Sequence, residues 1–141
     1  DDMIDNGWIY ALEKYRKESN DSGKWLIFAQ ADQRLTIWEL LRNEVVDGSL
    51  KDLAIHAKIS TIPSYNYKIK QNTYVICIYF NDSYNIPEIK EGLKEIRKII
   101  QDGVMFYKTN NQTRANIYSG NKSKPYIYIS YNKNHFDINK E

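Results

Sequence analysis

A single cysteine, two histidines, three prolines and six glycines are all that 141 residues hold of the types that most often mark metal sites, disulfide scaffolds or Gly-rich phosphate loops. One cysteine excludes a disulfide within these residues. Cys77 lies inside the apolar run "TYVICIYF", where a cysteine reads as a small hydrophobe rather than a nucleophile. A reducing, cytoplasmic location is the matching expectation. His56 and His135 stand far apart, with no H-x-x-x-H or C-x-x-C around them, so neither a metal centre nor a cofactor is expected. G-x-S-x-G, P-loop and dinucleotide fingerprints are absent, which removes the usual hydrolytic and nucleotide-handling signatures. No stretch approaches the roughly 20 apolar residues of a membrane span. No leader pattern opens the chain either, and a membrane is not an expected partner.

What is present is ordinary in bulk and unusual in detail. Twenty cations against 18 anions leave a net charge of +2, so any basic behaviour has to be local. Twelve tyrosines outnumber four phenylalanines, giving many aromatic faces with a polar tip and favouring strands. The length predicts one domain over residues 1–141 that buries roughly 70% of its unfolded surface.

Along the chain, Ile4, Trp8, Leu12 and Tyr15 recur at helical spacing and predict a helix over residues 3–18. "SNDSG" stops it, and "KWLIFAQ" follows as a buried strand. "TIWELLRNEVVDG" predicts a second helix, with Thr36 and Glu39 at capping-box spacing and Gly48 as its stop. "LAIHAKISTI" alternates as a half-buried strand ended by Pro63, and "PSYNYKIKQN" reads as an exposed turn or hairpin. "TYVICIYF" is the strongest strand and is expected at the sheet centre. A helix beginning near Pro87 buries Ile89, Leu93, Ile96 and Ile100. Strands "VMFYKT", "RANIYS" and "PYIYISY" complete the order, and the polar tail 132–141 is expected to fray. The class is α+β, a curved antiparallel sheet with helices packed on one face.

Several of these segments, taken in order, carry a resemblance. "SGKWLIF", a Trp-bearing helix, "AKIST", "YVICIYFND", a charged helix and "FYK…T…NIYSG" before "YIY" resemble the Bles family of basophilic-leukaemia-expressed proteins, from about Trp8 to Tyr131. The resemblance implies a fold similar to translation initiation factor 4E, with an open concave sheet face. It implies no activity. The 4E cap-binding factors clamp a methylated guanine between two loop tryptophans, whereas loop 62–72 here offers only Tyr65 and Tyr67. Cap binding by that clamp is therefore not expected.

The candidate site follows from strand parity. Lys58 shares a face with His56 and Ser60, opposite Ile55, Ala57 and Ile59. The same alternation groups Arg114, Asn116 and Tyr118, and then Tyr126, Tyr128 and Ser130. If helices cover the isoleucine face, a polar, aromatic and cationic face stays open. Lys24, Lys58, Lys108 and Arg114 lie at or near predicted strands with hydroxyls beside several of them, which is what phosphate oxygens require. The expected ligand residues are Lys24, Lys58, Ser60, Lys108, Thr113, Arg114, Tyr118 and Tyr128, the tyrosines supplying rings for base stacking. No catalytic residue is assigned. The leading expectation is a binding module for a nucleotide or single-stranded RNA or DNA. The alternatives are a protein-interaction or homodimerisation domain, since Tyr and Arg are enriched at interfaces, and an enzyme using a lysine on a phosphorylated substrate.

Overall fold

The computed structural model describes residues 2–67, 69–119 and 125–139, and of 115–119 the backbone alone. Asn6 and Gly7 set its first element. Both take positive φ, 50° and 81°, as the two central residues of a type I′ hairpin turn require. They fold the start of the chain into β1 (Met3–Asp5) and β2 (Trp8–Tyr10), with Asp5 opposite Trp8. The helix expected over 3–18 is thus replaced by a hairpin followed by turns. Its stripe had nothing to bury against: Ile4 is 70% exposed, while the Asn-Gly turn specifies the hairpin locally.

The remaining elements are β3 (Gly23–Ala29), α1 (Arg34–Asp47), β4 (His56–Ser60), β5 (Ser64–Asn66), β6 (Gln71–Phe80), α2 (Ile86–Arg97), β7 (Asp102–Thr109), α3 (Asn110–Ser119), β8 (Tyr128–Asn132) and β9 (Asp137–Ile138). They form a nine-stranded, curved antiparallel sheet in the order β1-β2-β4-β6-β3-β7-β8-β9, with β5 paired to β6. As expected of its two apolar faces, β6 is central.

α1 and α2 bury one face of the sheet. Trp25 and Ile27 of β3, Ala57 and Ile59 of β4, Ile76, Ile78 and Phe80 of β6, and Met105 and Tyr107 of β7 meet Trp38, Leu41 and Val45 of α1 and Ile89, Leu93 and Ile96 of α2. Gly92 lets α2 sit directly on β6, since a Cβ there would overlap the Phe80 ring. α2 starts as its residues dictate: the Asn85 side chain accepts from the Glu88 N–H, and Pro87 occupies the first turn. α1 begins earlier than the Thr36–Glu39 spacing suggests, at Arg34, without a side-chain cap. Gly48 does end it, its N–H donating to the Glu44 carbonyl.

Two further expectations change. The segment "RANIYS", expected as a strand, lies in α3. Thr109 and Gln112 form a reciprocal capping box, the Gln112 N–H donating to Thr109 Oγ1 at 2.9 Å and the Thr109 N–H to Gln112 Oε1 at 3.0 Å. That T-x-x-Q signature starts a helix where the alternation suggested a strand. The tail is also ordered through residue 139: β9 pairs with β8, and the Phe136 ring packs 5.3 Å from Tyr128. Among the described residues no helix is long and apolar enough to cross a membrane.

Candidate functional site

Because β3, β4, β6 and β7 bury their aliphatic side chains under the helices, the alternate positions face the other way. Antiparallel register lines them up across the sheet. One row runs His56, Tyr79, Lys24, Lys108 over β4, β6, β3 and β7. The neighbouring row runs Tyr10, Lys58, Cys77, Leu26, Phe106, Ile129 from β2 to β8. Three lysines therefore belong to two adjacent rows near the middle of the face opposite α1 and α2. That face is not left open as expected: Tyr15 and Glu18 pack on His56, Thr113 of α3 meets Lys24, and His56, Cys77, Tyr79 and Lys24 are buried.

Each lysine is held differently. Lys24 is buried and donates to Thr113 Oγ1 of α3 at 2.6 Å. Lys58 places its ammonium 4.2 Å from the Trp8 ring centroid, 5.4 Å from Tyr79 and 5.6 Å from Tyr10. Such cation–π contacts orient a lysine without neutralising it. Lys108 is half-buried, and among the described residues it has no hydrogen bond or ion pair from its ammonium. Lys24 and Lys108 stand directly opposite one another on β3 and β7. Burial lowers both of their pKa values, and each is pulled further down or up by its charged neighbours, Lys58 and Glu18 among those around Lys24. The nearest carboxylate is already committed. Glu18 accepts from Asn110 Nδ2 at 2.7 Å and lies 2.8 Å from His56 Nε2. Burial pushes that carboxyl up, but the hydrogen bond from His56 and the surrounding lysines bring it below its ordinary range.

The His56 ring is fully buried, stacked 4.1 Å from Tyr79 and 4.6 Å from Tyr15. Burial pushes the Cys77 thiol and the Tyr79 phenol up, so both stay protonated at neutral pH and Cys77 lacks the thiolate a nucleophile needs. Among the described residues no cluster of three His, Cys, Asp or Glu side chains could hold a metal ion.

Of the sequence-expected residues, the structure brings together Lys24, Lys58, Lys108 and Thr113. Ser60 lies on the same strand face, but its hydroxyl accepts from the Val75 N–H at 3.0 Å and serves the sheet. Arg114 is exposed on α3 and donates to Asn111 rather than joining the lysines. The Tyr118 side chain lies outside the described residues. Tyr128 is a correction: with Ser130 it points beneath the helices, opposite to the expected parity. Its phenol donates to the Ser83 carbonyl at 2.6 Å, and Ser130 Oγ receives Arg97 of α2 at 2.9 Å. Those two partners decide which face of β8 is buried. Trp8, Glu18 and Asn110 had not been assigned to the site. The Asn6-Gly7 turn was the available signal for Trp8, since it creates the strand that sets the indole beside Lys58.

Solved structures similar to this one include eIF4E proteins in complex with cap nucleotides. Schistosome eIF4E complexed with m7GpppA and 4E-BP superposes with a TM-score of 0.63 at 13% identity, over 87% of this chain and 68% of that one. The m7GpppG complex of schistosome eIF4E gives 0.62 at 12% identity over the same shares. Ascaris suum eIF4E-3 with an m2,2,7G cap gives 0.50 at 14% identity, over 64% of this chain and 51% of that one. At such identities the likeness establishes the fold, and the α+β, eIF4E-like architecture expected from the sequence is the one found. No curated protein matches the chain. The family model described as basophilic leukemia-expressed protein Bles03 matches residues 9–115, well over half of the 141, and the chain belongs to that family.

Proposed function

We propose that this protein is a binding module, without chemistry of its own, that takes a nucleotide or a single-stranded nucleic acid on the sheet face opposite α1 and α2. The observation that carries this reading is the Lys24–Lys108 pair. Two lysines stand opposite each other on adjacent strands, both drawn down by burial, with no carboxylate bonded to either among the described residues. Like charges directly opposed in a sheet destabilise it, so a purely structural role explains them poorly. An anion bound between Lys24, Lys58 and Lys108 relieves that repulsion. Thr113 Oγ1 and the rings of Trp8, Tyr10 and Tyr79 border the same space. The eIF4E proteins of like fold were solved with cap nucleotides, which agrees with a ligand of this class.

The test is fluorescence anisotropy of short labelled RNA and DNA oligonucleotides and of a labelled nucleotide, at low and near-physiological salt, for the natural protein and for Lys58→Ala/Lys108→Ala. Binding that weakens with salt and is lost in the double variant supports the proposal. No binding at low salt, where phosphate contacts are strongest, refutes it.

One observation favours a second reading, a protein-interaction surface. Ile62, just before β5, and Tyr65 and Tyr67 of the β5–β6 hairpin are exposed, and the two tyrosine rings pack edge-on, 4.7 Å apart. A mass that rises with concentration in sedimentation, and falls back on Tyr67→Ser, would support self-association through this hairpin.

A further inference from the structure

Resting on the reading above, we infer that the ligand enters with a terminal phosphate, a phosphomonoester carrying two negative charges, attached to a flat or apolar body, and that a run of internal phosphodiesters is not what the face reads. The reason lies in where the positive charge stops. Along β3 the positions on this face are Lys24, Leu26 and Phe28, and along β7 they are Lys108 and Phe106. Two residues beyond the lysine row the face has become aliphatic and aromatic. Phe28 packs edge-on against Phe106 at 5.9 Å, and Tyr126 lies 4.7 Å from Phe106. Leu26, Phe28 and Val75 remain half-exposed within this patch.

A polynucleotide lying along the strands would need cations repeated at each phosphate. This face offers instead a short cationic stretch, with Lys24 opposite Lys108 and Lys58 two strands further on, over the Trp8 and Tyr79 rings. Lys24 senses both other charges, and Cys77, at the centre of the second row, senses Lys24 and Lys58. Two opposed cations with a third nearby match a dianion better than a monoanionic diester. The apolar half begins about 7 Å from Lys24, two residues along an extended strand. That division of the face, cationic at one end and aromatic at the other, describes a compact anionic head with an uncharged planar or apolar body, as in a mononucleotide or the phosphorylated end of a nucleic acid.

The two sources share one chemistry, and the experiment separates them. Calorimetric titrations would use adenosine 5′-monophosphate, adenosine, inorganic phosphate, and one short oligonucleotide carrying either a 5′-phosphate or a 5′-hydroxyl. The expected result is that the monophosphate binds and adenosine does not, and that inorganic phosphate binds at least about tenfold more weakly than the monophosphate. The 5′-phosphate should be preferred over the 5′-hydroxyl by about tenfold, a preference Lys108→Ala abolishes. If the mononucleotide binds and the oligonucleotide does not, the ligand is a free small molecule, as the inference also allows. Equal affinity for the two oligonucleotide ends overturns the inference and leaves the nucleic-acid reading standing. Inorganic phosphate binding as well as the monophosphate overturns the assignment of an apolar body. Failure of every probe removes the proposed function itself.

Discussion

Replacing Lys108 with methionine should make this protein more stable while disarming it. Lys108 stands opposite Lys24 in the β3–β7 ladder, half-buried, with no hydrogen bond or ion pair at its ammonium among the described residues. Unit charges about 7 Å apart repel by about 0.6 kcal/mol at the dielectric of water and by about 2.4 kcal/mol at an effective value of about 20. A half-buried pair falls between these limits, and like charges directly opposed in a sheet are destabilising by up to about 1 kcal/mol. Methionine keeps the apolar stem and drops the charge. Lys108→Met should therefore gain about 1 kcal/mol, raising Tm by roughly 2–5 °C for a chain of this size.

Lys58→Met supplies the opposite sign. Its ammonium rests 4.2 Å from the Trp8 centroid, and losing that contact should cost about 0.5–1 kcal/mol. Urea unfolding of the two variants beside the natural protein measures both, with unchanged m-values as the check that the folded states are comparable. A Lys108→Met protein that is destabilised by 1 kcal/mol or more would refute the reasoning, because Lys108 would then be part of what holds the sheet together and its unpaired charge would no longer point to a ligand.

Three other outcomes follow from the same geometry. Glu18→Gln removes a carboxylate beside Lys24 and Lys58, so phosphate affinity should rise several-fold by titration, while stability falls by about 1 kcal/mol through the weakened bond to His56. Gly92→Ala drives a methyl group into the Phe80 ring and should cost about 1–3 kcal/mol in denaturant unfolding, with no cost if α2 can lift off β6 freely. Stability should rise with pH as Lys24 and Lys108 lose their protons in the folded state before they do so, near pH 10.4, in the unfolded one. Over that interval the unfolded chain binds more protons, which makes the slope positive, and anion binding weakens in parallel. Above about pH 10 the slope should reverse, because unfolding releases Tyr79 and Tyr107, whose ionisation burial suppresses.

The sheet's helix-covered face was readable from alternation where an aliphatic parity opposed a charged one. In "LAIHAKIS" Ala57 and Ile59 oppose His56 and Lys58, and the structure packs Ala57 and Ile59 into the core under the helices, although His56 is buried on the other face as well. "PYIYIS" is different, because tyrosine suits either side of a sheet. There the choice falls to Arg97, which a helix far away in sequence brings onto Ser130, and to the Ser83 carbonyl that takes the Tyr128 phenol. Neither partner is visible within the strand itself. Two local signals were legible and were outweighed by periodicity: the Asn6-Gly7 hairpin turn and the Thr109–Gln112 capping box. Both concern the ends of elements, where a few hydrogen bonds decide between conformations of similar intrinsic preference.

Those two misread segments are also the ones that complete the site. β2 supplies Trp8 and Tyr10 to Lys58, and α3 supplies Thr113 to Lys24 and Asn110 to Glu18. The lysines themselves lie on strands that the sequence placed, and parity also assigned the face of Lys58, so the charge was legible and its surroundings were not. Those surroundings decide how each lysine meets an anion. Lys24 is tied to α3 and Lys58 is held against three rings, so both are positioned in advance and lose little freedom on binding. Lys108 has no such tether, and its charge is the one an incoming phosphate satisfies with the least rearrangement. A face built only to be stable would have paired that lysine or replaced it, and its retention opposite a second buried cation is the physical reason to look for the anion.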